Sequence, residues 1–259
     1  MPKTALIIPC YNEEERLQPE EYARFLSSNP AIDLLFVDDG SSDGTVKVMG
    51  EISERNPGRV ACVSLDQNSG KAEAVRRGVM EAFGLGYEMA GYWDADNSTP
   101  LRLAPELVAH LEGTDLEMVM GSRVNILGKR IVRKNSRHYL GRFFATMASF
   151  ILRLQIYDTQ CGAKVFRHSP IMRKVFEERF QTDWTFDLEV IARTVIHGRS
   201  LRPGVEADQL IVEHPLEEWV DIEGSKLKAS HGFKIARDLV TVYLRYHGKM
   251  GPGGGPAGE

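Results

Sequence analysis

Several acids in this sequence stand where chemistry would need them. Asp94-Ala-Asp96 follows the apolar run Met89-Ala-Gly-Tyr-Trp93. Alternate residues of an extended strand point to opposite sides, but a strand end that curls can aim both carboxylates at one cation. Magnesium and manganese take carboxylate and phosphate oxygens, and usually bind through few protein ligands plus the substrate. Asp94 and Asp96 are therefore the candidate metal ligands, with Mg2+ or Mn2+ as the candidate cofactor. Such a cation would neutralise a diphosphate and help it leave. Taken alone, the motif is equally a solvated turn with two acids. Its place after a strand, beside similar clusters, favours the metal.

Asp38-Asp39-Gly-Ser-Ser-Asp43-Gly-Thr45 ends the buried run Leu34-Leu-Phe-Val37 and opens a helix. One of Ser42 and Asp43 serves as a cap for that helix. Asp38 and Asp39 repel each other and need partners. One carboxylate could accept the N3–H of a uracil, and the other could hold ribose hydroxyls or water. Pro9-Cys-Tyr11-Asn12-Glu13 adds an aromatic face and polar groups, although a loop turn accounts equally well for Pro9 and Asn12. Asn68-Ser-Gly70-Lys71 looks superficially like a phosphate loop. The Gly-x-x-x-x-Gly-Lys-Ser/Thr pattern is missing, however, and Gly84-Leu-Gly86 follows a helix rather than a strand. These facts argue against a nucleoside triphosphatase and against a dinucleotide fingerprint. At a helix start, Asn68 and Lys71 still suit a diphosphate or ribose.

The elements that position these clusters are legible in the first half. Ala5–Ile8, Asp33–Val37, Arg59–Leu65, Met89–Trp93 and Glu117–Met120 read as strands, and Thr45–Arg55, Lys71–Phe83 and Leu101–Leu111 as helices. The alternation predicts an α/β fold with a mostly parallel sheet and helices on both faces. Ligands of such sheets bind beyond the C-terminal strand ends, so the polar clusters after Ile8, Val37, Leu65 and Trp93 should share one rim. Further on, helices are expected over Ser136–Leu154, Phe186–Ile196 and Ser225–Tyr246, with a short strand at Ala163–Phe166. One domain over residues 1–248 is expected, regular over 1–121 and less regular over 122–248, then a disordered Gly/Pro-rich tail (249–259).

Composition narrows the classes. With 259 residues, 42% hydrophobic and 26% charged, the chain can bury one substantial core. A formal net charge of −4 gives no global pull toward nucleic acid. The three cysteines, Cys10, Cys62 and Cys161, are far apart and include no CxxC pair, which points to reduced thiols in a cytoplasmic setting. The opening Met1-Pro-Lys-Thr4 runs straight into a strand, so no signal peptide is expected. The longest apolar candidate, Phe143–Leu154, is shorter than the ~20 residues of a spanning helix, so the chain is expected to be soluble or peripheral.

A basic stretch offers a surface. Lys129, Arg130, Arg133, Lys134, Arg137 and Arg142 lie where no acid occurs between Met118 and Tyr157, and Phe143, Phe144, Met147, Phe150, Ile151 and Leu154 follow. This is either a solvated face beside a core helix or a docking surface for phosphate headgroups and the lipid interface.

Together the motifs resemble family-2 glycosyltransferases of the GT-A fold: Pro9-x-Tyr-Asn-Glu13, Val37-Asp-Asp-Gly-Ser41, Asn68-x-Gly-Lys71 and Asp94-x-Asp96. Asp158-Thr-Gln-Cys-Gly162-Ala-Lys164-Val-Phe166, Trp184-x-Phe-Asp-Leu-Glu189 and Glu223-Gly-Ser-Lys-Leu227 are similar to the polyprenyl-phosphate branch, nearest to dolichyl-phosphate β-glucosyltransferases and then mannosyltransferases. The resemblance spans roughly residues 4–247 and implies one catalytic domain with a nucleotide-sugar-binding half (1–121) and an acceptor-binding half (122–248). It implies inverting transfer of a hexose from a nucleotide-sugar, a UDP-sugar rather than a GDP-sugar, to a polyprenyl phosphate at a membrane surface. It also implies that Pro9, Tyr11, Asn12, Glu13, Asp38, Asp39, Asn68, Lys71, Asp94, Ala95 and Asp96 hold the donor, with Asp38 reading the base. Arg123, Arg133, Arg137, Lys164 and Lys226 would meet the acceptor phosphate, Arg123 and Arg133 also serving catalysis. A phosphate monoester is largely dianionic at neutral pH and needs no strong base. An alcohol acceptor would need a carboxylate to take its proton, with Asp187 first and Glu189 second. Asp187 also suits a helix N-terminus for purely structural reasons.

Overall fold

A computed structural model of the chain describes residues 3–132, 135–222 and 231–251, without the side chains of 135–140 and 231–232. Nine strands occur among the described residues: β1 (Thr4–Cys10), β2 (Ile32–Asp38), β3 (Val60–Ser64), β4 (Met89–Trp93), β5 (Met118–Ser122), β6 (Arg130–Val132), β7 (Ala163–Arg167), β8 (Ile211–Pro215) and β9 (Glu218–Val220). Seven form one sheet in the order β3-β2-β1-β4-β7-β5-β8, and β6 pairs with β9 beside it. β1 is parallel to β2 and β4, β2 to β3, and β5 to β8, while β7 runs antiparallel between β4 and β5.

Eight α-helices complete the order: α1 (Pro19–Ser28), α2 (Thr45–Arg55), α3 (Lys71–Gly84), α4 (Ala104–Glu112), α5 (Asn135–Leu152), α6 (Pro170–Glu177), α7 (Phe186–Leu201) and α8 (His231–Tyr246). Side chains of β1 alternate between two cores, as strand pleating demands. Ala5 and Ile7 join Val75 and Val79 of α3 and Leu188 and Val195 of α7. Leu6, Ile8 and Cys10 join Phe25 of α1, Ile52 of α2 and Leu107 of α4. The strands are apolar on both faces because both faces are covered.

The five expected first-half strands and the expected helices are present, and the antiparallel β7 is the one reversal in the main sheet. α1, α6 and the strands β6, β8 and β9 are additions. α6 opens with Ser169, whose side chain accepts the N–H of Met172, followed by Pro170 in the first turn. The expected C-terminal disorder is displaced at its start. His247–Met250 form a 3-10 turn, Met250 is buried, and Arg199 donates to the carbonyls of Met250 and Gly251. The rest of that tail, and the N-terminal part of the helix expected from Ser225, lie outside the described residues. No helix among the described residues is long and apolar enough to cross a membrane.

Candidate active site

β1, β2 and β4 are parallel, so their C-terminal ends open onto one rim, and the loops there are laced together. Asn12, at φ 52°, donates its N–H to Ser41 Oγ at 2.9 Å and accepts the Ser42 N–H on Oδ1 at 2.9 Å. Glu13 donates its N–H to Thr45 Oγ1 at 2.8 Å and its carboxylate pairs with Arg16. Asp43 accepts the N–H and the hydroxyl of Thr45, the first residue of α2, but the N-cap position is Gly44, so the side-chain cap expected of Ser42 or Asp43 is not formed. Tyr11 is exposed and Pro9 half-buried on the same rim.

The two adjacent acids divide the work. Asp38 accepts the Ser41 N–H at 3.2 Å from each oxygen. Asp39 reaches the next loop, accepting the N–H groups of Ser69 at 2.7 Å and Gly70 at 2.9 Å. Both are buried. Burial pushes the Asp39 carboxyl up, Asp183 and Asp38 add to this, and the two backbone bonds act against it. Asp39 thus shapes the loop that presents exposed Asn68 and the Lys71 end of α3. Gly70 sits at φ 92°, and a Cβ there would run into the Asp183 carboxylate. Asp183 also accepts from Ala72 N at 3.4 Å and pairs with Lys234 of α8 at 3.1 Å. It was not among the residues singled out from sequence, since its partners are 111 and 51 positions away.

Asp94 and Asp96 stand on the curl after β4. The Asp94 N–H donates to Gly162 O at 3.0 Å, and Lys71 Nζ lies 2.5 Å from Asp94 Oδ1. A Cβ on Gly162 would overlap the Asp94 carboxylate, so the glycine makes room for it. Asp96 accepts the Ser98 N–H at 3.0 Å, and Asn97 between them takes φ 59°. Burial raises the Asp96 carboxyl above its ordinary range, and the Asp94 charge adds to this. Ala95 is buried. Beside Asp96 a groove of about 430 Å³ is lined by Glu15, Arg16, Gln18, Glu21, Asn97, Pro100 and Ile222. A groove of equal volume at Glu88, Arg167 and His168 lies at the opposite end of β4 and touches none of this chemistry.

No cluster of three or more His, Cys, Asp or Glu ligands occurs among the described residues. Two close carboxylates, one of them destabilised by burial and by its neighbour, still fit a hard divalent cation that takes its remaining ligands from phosphate and water.

Beneath the rim lies a buried charged layer. Tyr92 and Lys164 are register partners on β4 and β7 and share a face with α7. Lys164 is wholly buried. It donates to Tyr92 Oη at 3.0 Å, Thr159 O at 3.0 Å and Cys161 O at 2.7 Å, and lies 2.9 Å from Asp187 Oδ1. The expectation that Lys164 meets an acceptor phosphate is corrected by this placement, because its ammonium is engaged inside the fold, between β7 and α7. Asp187, in the first turn of α7, also accepts the Tyr92 hydroxyl at 2.5 Å. Burial, then Asp187, push the Tyr92 hydroxyl well up.

Glu189 is a clamp. Oε1 accepts from Gln181 N, Thr182 N and Thr182 Oγ1 at 2.8–2.9 Å, and Oε2 from Tyr246 Oη at 2.8 Å, with Arg193 at 3.3 Å. A wholly buried carboxylate so occupied is no proton acceptor for a substrate, which removes it as the second base. Arg123 is likewise engaged: it grips Asp158 through two bonds of 2.6 and 2.7 Å and lies 5.2 Å from the Trp219 ring centre. Burial opposes its charge, but Asp158 outweighs that and raises the guanidinium further. Glu213, missed in sequence, accepts the N–H groups of Tyr157 and Asp158, both at 2.8 Å, and so holds the same loop. Arg133 and Lys226 lie outside the described residues, and Arg137 is on α5 with its side chain outside the description.

Comparison with known proteins fits this geometry. The model of the family described as glycosyl transferase family 2 matches residues 5–180. A dolichyl-phosphate beta-glucosyltransferase of Dictyostelium discoideum is 29% identical over 257 residues, covering 93% of this chain and 74% of that protein. The protein of that name in Drosophila melanogaster is 30% identical over 258 residues, with the same coverages of 93% and 74%. Among solved structures, glucosyl-3-phosphoglycerate synthase from Mycobacterium tuberculosis, in complex with Mn2+ and UDP-glucose, aligns with a TM-score of 0.67 at 16% identity, over 94% of this chain and 79% of that one. A mannosyltransferase from Pyrobaculum calidifontis, in complex with GDP-mannose and Mn2+, aligns at 0.62 and 18% identity, over 94% of this chain and 64% of that one, just under two thirds of its length. At these identities the structural likeness establishes the fold.

Proposed function

The chain belongs to glycosyl transferase family 2, and we propose that it moves a hexose, glucose from UDP-glucose, onto a polyprenyl phosphate of the dolichyl type with inversion at the sugar carbon. The relatives named as dolichyl-phosphate glucosyltransferases support the sugar and the acceptor. The observation that carries the phosphate acceptor is the state of Asp187. It is buried, hydrogen-bonded to Tyr92 and ion-paired with Lys164, so it is poorly placed to take a proton from an alcohol. A phosphate dianion needs no such base.

In this reading Asp38 and the Pro9–Glu13 loop hold the nucleotide, with the N-terminal end of α3 and Lys71 facing the diphosphate. Asp94 and Asp96 would hold Mg2+ or Mn2+, which would neutralise the charge of the departing diphosphate. Asp39 and Asp183 fix the Asn68–Lys71 loop on which the donor rests, and Arg123 fixes the Asp158–Gly162 loop behind Asp94. Catalysis then rests on positioning and electrostatics. Arg133, Arg137 and Lys226 remain the candidates for the acceptor phosphate. The three free cysteines suit a reducing, cytoplasmic-facing location.

The test is nucleoside diphosphate release from a panel of UDP- and GDP-sugars, with Mg2+ or Mn2+, with and without a short-chain polyprenyl phosphate. Release from UDP-glucose that requires both metal and lipid phosphate is the expected result. Donor hydrolysis indifferent to the lipid phosphate would move the acceptor to another class, and a GDP-sugar preference would overturn the donor.

A further inference from the structure

Asp94 is a fixed anion that faces a mobile cation. Its backbone N–H is tied to Gly162 O at 3.0 Å, and its carboxylate rests where that glycine leaves room. Lys71 opens α3, and the backbone around it is anchored as well. Asp39 accepts the N–H groups of Ser69 and Gly70, and Asp183 accepts that of Ala72. The Lys71 side chain is held less firmly. It is 39% exposed, with its ammonium 2.5 Å from Asp94 Oδ1 and 5.4 Å from the Tyr92 ring centre. A lysine ammonium rides on a flexible stem, so it can change partners while the helix stays still. The Arg123–Asp158 pair shows the contrasting, static design: its guanidinium is only 12% exposed and bonds through two nitrogens.

Charge balance says when Lys71 would change partners. Lys164 is spent on Asp187, and Arg123 on Asp158. Asp96 has no ion-pair partner among the described residues, so one ammonium serves both acids of the curl after β4. Lys71 would resist a divalent cation that arrives alone, because the two compete for one carboxylate and repel each other. In a half-buried site that repulsion is poorly screened. A diphosphate arriving with the cation relieves both costs. It offsets the added positive charge and offers the ammonium another anion, at the end of α3 where the first helical N–H groups are also free.

We infer that Lys71 is the resident counter-ion of Asp94 and Asp96 when no donor is bound, and that it yields them to a metal only when a diphosphate comes too. Lys71 thereby makes metal uptake depend on the donor. The inference deepens the proposed function and rests on its metal site. Mn2+ binding by the full chain, read as loss of the free-ion signal in electron paramagnetic resonance, tests it without turnover. Titrations use Mn2+ alone, then Mn2+ with UDP or with GDP. The wild type should bind Mn2+ weakly alone, and at least about tenfold more tightly with one of the nucleotides. Lys71→Met should bind Mn2+ alone at least about tenfold more tightly than the wild type, since a unit charge beside the ion has gone. The further tightening by nucleotide should shrink in that variant, because only direct metal–phosphate attraction remains. Lys71→Arg keeps the charge and should bind Mn2+ alone as weakly as the wild type. Lys71→Met/Asp94→Asn should lose the tight binding, with circular dichroism of every variant native. Lys71→Met that binds Mn2+ alone no more tightly than the wild type would overturn the inference, as would tight binding that survives Asp94→Asn. Nucleotide-dependent uptake by the wild type reads the metal role separately: if present, it leaves that role standing whatever Lys71→Met does. Its absence with both nucleotides would sink the metal role and the inference together.

Discussion

Asp96 sits where the proposed function and stability pull apart. Its carboxyl is raised by burial and by Asp94, so at neutral pH the folded state holds a charge that it would rather not. The sign follows from linkage: stability tied to Asp96 is highest below the ordinary carboxylate pKa and falls as pH rises through the raised, folded-state value. Asp96→Asn should therefore raise the neutral unfolding temperature, by about 2 °C, and this gain should vanish in acid. The same change should cut nucleoside diphosphate release by roughly 10²–10³-fold, the scale of losing one electrostatic stabiliser of a leaving group. Thermal unfolding and donor turnover of one protein sample check both halves. Gly162 gives a complementary prediction. Its Cβ would fall on the Asp94 carboxylate, so Gly162→Ala should displace that acid and lower turnover at least about tenfold while circular dichroism stays native. Asp94 and Asp96 were legible in sequence because their position after an apolar strand is a local fact. The glycine's role was not, because the strand that brings it there, β7, reverses direction beside β4.

At the scale of elements, the loop between α6 and α7 depends on one carboxylate. Glu189 gathers two backbone N–H groups and a hydroxyl from Gln181 and Thr182, then reaches Tyr246 at the end of α8. Removing it strands those donors and leaves Arg193 without its carboxylate partner. Glu189→Ala should cost about 3–5 kcal/mol, lowering the unfolding midpoint by roughly 6–20 °C. Denaturant or thermal unfolding measures this directly. The sequence suggested a base at Glu189 because an acid near a helix start looks the same whether it faces solvent or core. Its partner on α8, Tyr246, lies 57 residues away, a separation that no local pattern encodes. The longer helices α2, α3, α5 and α7 were legible because their pattern persists over three turns or more, which ten-residue α1 and eight-residue α6 do not offer. The three-residue strands β6 and β9 were not, since three residues carry too little alternation to separate a strand from a loop.

Across the whole molecule the acids of the central sheet are treated oppositely at its two ends. At the C-terminal rim, Asp39 and Asp96 are raised, while at the start of β2 Asp33 is held down. Burial alone would push Asp33 up, but Lys3 at 2.7 Å, Arg59 at 2.5 Å and the Tyr87 hydroxyl at 2.7 Å together outweigh it. Its contribution is present above the ordinary carboxylate pKa and is lost as pH falls through its lowered value. Asp33→Asn should then cost about 2 kcal/mol at neutral pH, or roughly 4–8 °C, with the deficit shrinking in acid and turnover unchanged. Strand rise over the seven residues of β2 puts the two ends about 20 Å apart. At that separation, with no shared partner, the effects should add. Asp33→Asn/Asp96→Asn should unfold at the sum of the two single shifts and be as inactive as Asp96→Asn alone. A shift departing from that sum by more than about 0.5 kcal/mol would mean that the stabilised end of the sheet and the strained rim are energetically coupled.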